Sequence, residues 1–409
     1  MVSNNNSVFS IFQSYILLTT STIYIVLSLL SYKLKLIKED SFFKKLRGVM
    51  EWSGPVYIKY GQMMASRANF QNKNTVFKKI LLQFSYLEDG VRLSNRVQNK
   101  ELDQLNNIQE INNFTDNILG SGSIASVYSI EYKNKPAVVK LVHPEILSKI
   151  KLGTVLLKSQ LKFFSLFNKQ LKKTSKFIDF KGMKNSVVKQ CCMKNETKSI
   201  IRMRNIFEND NVVKIPKVYK AEHNYLILSK ENGFKFYDFI EKYDDYDYEA
   251  VASLYYSIVK MLEARFFHID LHLGNFLFKL VNDEVKLILL DFGIVKEINR
   301  DQAKVLHKII NFKINKELRE EESIKFFWMI SNDKIELEEF NRNVKEYKKT
   351  SKLNFQNVLD FFNNNNIVIS YENTLLVNSI SFVLELVDSS FDNTDGFKSY
   401  LAGYLIEKF

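Results

Sequence analysis

The 409-residue chain is 46% hydrophobic and 25% charged, enough for a sizeable core and for more than one lobe. Its formal net charge of +12 favours an acidic partner such as anionic lipid or nucleotide phosphate, although a lysine-rich solvated surface gives the same number. Its two cysteines, Cys191 and Cys192, are adjacent and cannot staple a fold, which excludes a disulfide framework and fits a reducing compartment; no zinc spacing or nucleic-acid-reading motif occurs, so no nucleic acid is expected as a partner.

Residues 8–32 carry no charge and are mostly apolar, and Lys33, Lys35, Lys38, Lys44, Lys45 and Arg47 follow at once. At about 1.5 Å per residue this stretch is long enough for a bilayer core of roughly 30 Å, so residues 1–40 are read as a transmembrane or anchoring helix with a basic, cytoplasm-facing flank. Ser, Thr and Gln dilute the segment, which leaves a buried helix or a monotopic anchor as the alternatives. Residues 41–110 read as helical with a break at Gly54-Pro55. From about residue 113 the pattern turns to short β-type runs, 126–130 and 137–142, split by a polar turn at 133–136, which is a hairpin signal. Residues 147–171 are helical, 212–229 strand-like, and from Tyr237 long helical patterns dominate, broken by a compact block at 268–293. The outline is α+β: a small β-rich lobe, then a larger helical one.

Four motifs carry chemistry. Gly120-Ser121-Gly122-Ser123-Ile124-Ala125-Ser126-Val127 has the form G-x-G-x-x-A-x-V on a strand-to-strand turn, where glycine lets backbone N–H groups approach nucleotide phosphates; alone, such a loop is often only a turn. Lys140 ends the apolar strand Ala137-Val138-Val139, placed to reach the α- and β-phosphates, against the plainer reading of an edge lysine in solvent. His268-Ile269-Asp270-Leu271-His272-Leu273-Gly274-Asn275 matches the catalytic loop D-x-x-x-x-N, with Asp270 accepting a hydroxyl proton or orienting water and Asn275 holding magnesium. Its two histidines pack and orient rather than bind a metal, since phosphoryl chemistry uses hard oxygen ligands. Asp291-Phe292-Gly293 closes an apolar strand with the second magnesium ligand, Asp291. Four elements in kinase order, each in its expected context, define an ATP (or ADP) and Mg2+ site. Adenine is expected near Ser229, Lys230 and Glu231 at the lobe junction.

The segment before the glycine loop is more specific. Gly54-Pro55-Val56-Tyr57-Ile58-Lys59-Tyr60-Gly61-Gln62, continuing to Ser66-Arg67, resembles the K-x-G-Q signature of the UbiB/ADCK family of atypical kinases, and Leu87-Glu88-Asp89-Gly90-Val91 and Phe114 resemble its next landmarks. The histidine-containing catalytic loop is similar to that family's version. Ile269 replaces the arginine of ordinary H-R-D loops, no A-P-E follows Gly293, and 55 residues (141 to 195) separate Lys140 from its candidate ion-pair partner Glu196.

The resemblance implies a protein-kinase-like two-lobe fold with a helical extension that carries Lys59 and Gln62 over the cleft, and ATP hydrolysis or phosphorylation of a lipid or small molecule in support of ubiquinone-like isoprenoid metabolism at a membrane. The chain departs from the family twice. A glycine-type loop replaces its alanine-rich one, and Gln190-Cys191-Cys192 stands where its E-x-D element would pair Lys59. The expected domains are 1–40 (anchor), 41–110 (extension), 111–232 (N-lobe) and 233–409 (C-lobe). Rival readings are a protein Ser/Thr kinase and a nucleotide-binding pseudokinase scaffold.

Overall fold

The computed structural model describes residues 3–65, 87, 95–167, 172, 175, 176, 178–310, 316–331, 335–351, 353–355, 357–390 and 394–409. Ser66, Arg67 and residues 88–91 of the family landmarks lie outside the described residues. The chain starts with helices α1 (Ser3–Lys33), α2 (Glu39–Ser53), α3 (Pro55–Ala65) and α4 (Asn95–Asn106). The expected Gly54-Pro55 break separates α2 from α3. Gly54 lies at φ 96°, which glycine tolerates, and Pro55 opens the next helix, where a missing N–H is harmless.

Strands β1 (Ile111–Ser121), β2 (Ala125–Tyr132) and β3 (Lys135–Val142) follow. Lys133 and Asn134 both have positive φ, 50° and 61°, the pairing of a type I′ turn whose twist suits a hairpin. Next come α5 (Ile146–Ser165), α6 (Phe180–Gln190), α7 (Met193–Ile206), β4 (Val213–Lys214), β5 (Val218–Ala221) and β6 (Tyr225–Ser229). The remainder is α8 (Phe236–Lys242), α9 (Asp247–Glu263), β7 (Phe266–His268), β8 (Phe276–Val281), β9 (Glu284–Leu289), β10 (Val295–Glu297) and helices α10 (Arg300–Ile310), α11 (Lys316–Ile330), α12 (Leu337–Lys348), α13 (Val358–Asn364), α14 (Tyr371–Ser390) and α15 (Thr394–Lys408). The sheets are ordered β1-β2-β3-β6-β5, β4-β9-β8 and β10-β7.

The chain forms two compact units. The first holds Met1–Gln109, Asp116–Tyr128 and Leu141–Cys191; the second holds Glu110–Thr115, Ser129–Lys140 and Cys192–Phe409. In the first, α3 packs on α5 and α6, and α1 packs on α2 and α5. The join between α1 and α5 is polar. Buried Gln160 donates to Ser21 Oγ (2.7 Å) and Thr22 Oγ1 (3.1 Å) and accepts from the Tyr57 hydroxyl (2.9 Å).

The transmembrane expectation for residues 1–40 is corrected by this arrangement. The helix forms, but among the described residues no helix is long and apolar enough to cross a membrane. The physical reason lies in its hydroxyl side chains, which lower its hydropathy and of which Ser21 and Ser28 face inward. Ser21 and Ser28 are buried while Ile23, Leu27, Leu30 and Leu34, spaced as one helical stripe, are exposed. Gln160→Ala is expected to destabilise the protein by about 1–3 kcal/mol, because the buried Ser21 and Tyr57 hydroxyls and the half-buried Thr22 hydroxyl lose a partner at once. Thermal melting checks this, and an unchanged melting temperature would contradict the packing role.

The second unit is built around α9, whose residues Ala250–Ile258 are buried throughout. After β6 the chain passes so close to β8 that a Cβ on Gly233 would lie 2.9 Å from Leu277 Cβ and 3.0 Å from the Phe278 carbonyl, so glycine is required there. The bridge between Phe234 and Phe278 fixes that crossing.

Candidate functional site

A hairpin assembles the acidic half of the site. Strands β8 and β9 pair antiparallel from Phe276↔Leu289 to Val281↔Glu284, closed by Asn282 and Asp283 at positive φ. Asn275 directly precedes β8 and Asp291 follows β9, so this register brings both to one end of the hairpin. The Leu290 N–H donates to the Asn275 carbonyl at 3.0 Å. The Asn275 amide N–H donates to the Asp270 carbonyl (2.9 Å), which leaves its amide oxygen as the available ligand.

His268 ties the loop to the next strand. Its Nε2–H donates to the Asp291 carbonyl and its Nδ1 accepts from the Asp270 N–H at 3.2 Å, which fixes the tautomer. Phe292 is fully buried and stands edge-on to that imidazole at 5.9 Å. These contacts are those of a packing and orienting residue.

Lys140 joins the cluster from β3. Its ammonium donates to Glu196 Oε1 at 2.8 Å and to Asp291 Oδ2 at 2.9 Å. Glu196 projects from the first turn of α7, where the helix N-terminus favours a carboxylate. Its side chain is 1% exposed and that of Lys140 16%, whereas Asp291 is 43% exposed, so the cluster opens on the aspartate side. Burial works against the Lys140 charge, but Asp291 and Glu196 together raise its pKa above the ordinary lysine value. Burial also pushes Asp291 up, yet the Lys140 ammonium and the Gly293 N–H (2.7 Å) outweigh it and hold that carboxyl well below the usual range. Burial pushes Glu196 up, with Lys140 opposing and Asp291 adding to the rise. Two carboxylates thus share one ammonium, an arrangement that favours a further cation.

The donor set fits a hard divalent ion, with carboxylate oxygens on Asp291 and an amide oxygen on Asn275. Among the described residues no group of three or more His, Cys, Asp or Glu could hold a metal on its own. An ion here would need oxygens from a bound ligand.

The glycine turn is part of the first unit. Gly122 N–H donates to the Ala125 carbonyl at 3.0 Å, and Ser123 is buried. The hydroxyls of Ser121 and Ser126 on either side are buried and have no hydrogen-bond partner among the described residues. Orphaned hydroxyls beside a glycine turn suit an oxygen-rich ligand. Val127 is half-buried in β2.

Ser229 ends β6, and Lys230 and Glu231 follow it. The Ser229 N–H donates to the Lys217 carbonyl (2.8 Å) and the Lys230 N–H to that of Pro136 (3.4 Å), while Glu231 pairs with Lys214. Lys59 is buried in α3; Gln62 donates to the Leu87 carbonyl at 2.7 Å, and Gln190 bonds back to the Ser186 carbonyl in its own helix.

Helix α14 supplies supports that the sequence reading missed. Ser379 Oγ accepts from the Leu271 N–H (3.3 Å), and buried Tyr371 has its phenol pushed up by burial and by the charge of Asp270. No local signal marks either residue, since each lies about a hundred positions from the loop that Ser379 holds and whose charge Tyr371 senses.

The family model "ABC1 atypical kinase-like domain" matches residues 93–322, more than half of the chain, in agreement with an α+β, protein-kinase-like fold. "Probable protein kinase UbiB" of Haemophilus ducreyi is 25% identical over 296 residues, 69% of this chain and 54% of that protein. The protein of the same name from Glaesserella parasuis is 25% identical over 293 residues, 68% and 53% respectively. The chain spans about half the length of the curated relatives it matches. Among solved structures, Mycobacterium tuberculosis Rv3197 in complex with erythromycin aligns with a TM-score of 0.42 at 14% identity, covering 70% of this chain and 82% of the other, a score too low to bear on function.

Proposed function

The chain belongs to the ABC1 atypical kinase-like family, the grouping to which the UbiB relatives point, and from that premise we propose that it is a magnesium- and ATP-dependent phosphotransferase or ATPase. The observation that carries this reading is the position of one ammonium, Lys140, at hydrogen-bond distance from both Glu196 and Asp291. Phosphoryl transfer asks little covalent chemistry of a protein and depends on positioning and charge neutralisation.

In this proposal Glu196 holds Lys140 against the α/β-phosphates, and Asp291 with Asn275 holds magnesium. Bound there, magnesium would neutralise charge on the phosphate oxygens. Asp270 orients the acceptor, its backbone fixed by His268 and Asn275. The turn with Gly120, Ser121, Gly122, Ser123 and Val127 receives the phosphates, and the Ser229–Glu231 backbone receives adenine. A complete set of Lys140, Asp270, Asn275 and Asp291 argues against a silent scaffold.

The acceptor is proposed to be a lipid or small molecule of isoprenoid-quinone metabolism at a membrane surface, with the K-x-G-Q helix of Lys59 and Gln62 favouring it over protein. The outward apolar stripe of α1, followed by Lys33, Lys35 and Lys38, supports contact with an anionic surface without a membrane span. The test is nucleotide binding and turnover by the full chain, with and without Mg2+ and with and without anionic liposomes. Binding and hydrolysis that require Mg2+, and a rate raised by liposomes, are expected. Absence of Mg2+-dependent nucleotide binding would overturn the enzymatic reading, and phosphorylation of a generic protein acceptor would shift it to a protein kinase.

A further inference from the structure

A buried polar cluster lies in the first unit, outside the residues that the phosphoryl-transfer reading uses. Glu101 of α4 and Tyr128 of β2 are fully buried, and His143, just beyond β3, is 6% exposed. The Tyr128 hydroxyl donates to Glu101 Oε2 at 2.7 Å, and His143 Nδ1 lies 2.6 Å from Glu101 Oε1. Three polar side chains from three elements are costly to bury unless each is satisfied, so the cluster acts as a rigid unit.

What it holds is the glycine turn. His143 Nε2 is 3.0 Å from the Gly122 carbonyl, and the His143 backbone N–H donates to the Ile124 carbonyl at 2.9 Å. A carbonyl only accepts, so Nε2 carries the hydrogen that meets Gly122, while Nδ1 faces Glu101. All peptides here are trans, so the Ser123 N–H points opposite to the Gly122 carbonyl. Fixing that carbonyl therefore fixes the direction of the next N–H. Glycine would otherwise leave the turn free to sample several conformations, at an entropic cost whenever a ligand ordered it.

We propose that Glu101, Tyr128 and His143 are positioning residues for a phosphate-binding turn. By holding the Gly122 and Ile124 carbonyls to one side, they keep the Ser123 N–H and the hydroxyls of Ser121 and Ser126 arranged for phosphate oxygens before nucleotide arrives. This rests on the nucleotide-binding reading for its ligand, but the clamp itself is tested without nucleotide.

The first measurement is amide hydrogen exchange over residues 120–127 in ligand-free wild type, His143→Ala, His143→Gln and Glu101→Gln. Exchange in the turn is expected to rise about tenfold in His143→Ala and Glu101→Gln, the scale of one lost hydrogen bond, and less in His143→Gln, which retains one donor. The second is the KM for ATP with Mg2+, expected to rise about tenfold in His143→Ala, by a larger factor than kcat falls, and to recover in part in His143→Gln. Wild-type exchange in the turn of all variants would overturn the clamp. Faster exchange with an unchanged KM would overturn the positioning role, because a merely structural loss lowers the active fraction and not the KM. A wild type that does not bind Mg-ATP would sink the proposed function, while the exchange data still decide whether the clamp exists.

Discussion

Asp291→Asn is expected to lower turnover by roughly 10³-fold or more while leaving the protein folded, the scale on which removal of a charge-stabilising group slows such transfers. The substitution keeps the shape of the side chain and removes the charge that faces both Lys140 and the proposed ion. Lys140 retains Glu196, so the cluster passes from two carboxylates around one ammonium to a neutral pair. Because Asp291 is 43% exposed, solvent screens its pairing and the loss of stability at neutral pH should be only about 1 kcal/mol.

The pH dependence has a definite sign. Asp291 is held below the usual carboxylate range, so its stabilising contribution is complete above about pH 4 and disappears as pH falls through the lowered native value. The gap between wild type and variant should therefore narrow in acid. Single-turnover rates and denaturation at neutral and acid pH check both parts. Equal turnover in the two proteins would remove the basis of the proposed mechanism.

Lys140→Met should be more damaging to the fold than to any surface property. Without the ammonium, Glu196, only 1% exposed, faces Asp291 with no counter-charge. Removing one partner of a buried ion pair costs about 3–5 kcal/mol, because the other charge stays buried. Burial already pushes Glu196 upward, and loss of Lys140 removes the main opposing influence. In the variant the folded state then holds a proton that the unfolded state releases near the ordinary glutamate value, so stability falls as pH rises from that value to the raised one.

The variant should accordingly melt higher in mild acid than at pH 8, by a wider margin than wild type, in which Lys140 opposes the same rise. Lys140→Met combined with Glu196→Gln should regain most of the stability and none of the turnover. Recovery of activity in the double variant would show that Lys140 serves folding rather than phosphate binding.

Much of the site was legible because its parts are local. A glycine turn, a lysine ending an apolar strand, D-x-x-x-x-N and D-F-G each declare themselves within a few residues, and strand or helix context is set by short-range alternation and breaks such as Gly54-Pro55. Glu196 could be named a candidate from its helical context and the family resemblance, although its separation from Lys140 is longer than ordinary kinase spacing, and it meets Lys140 across 56 positions.

The bilayer span expected of α1 is overturned for the opposite reason, a long-range one. The uncharged run from Val8 to Tyr32 is visible in sequence, but which side of that helix a neighbour would cover is not, and Gln160, more than a hundred positions away, covers its hydroxyl side.

By itself, then, the sequence determined the family, the order of the motifs and the identity of the charged groups, because each depends on residue type and local spacing. Only the tertiary structure decided that one ammonium serves two carboxylates, that Ser379 of α14 supports the 268–275 loop, and that Glu101 and Tyr128 back the His143 that meets Gly122. Those are long-range pairings fixed by strand register and helix packing, and a lone histidine or glutamate in a sequence carries no mark of the partner that burial will give it.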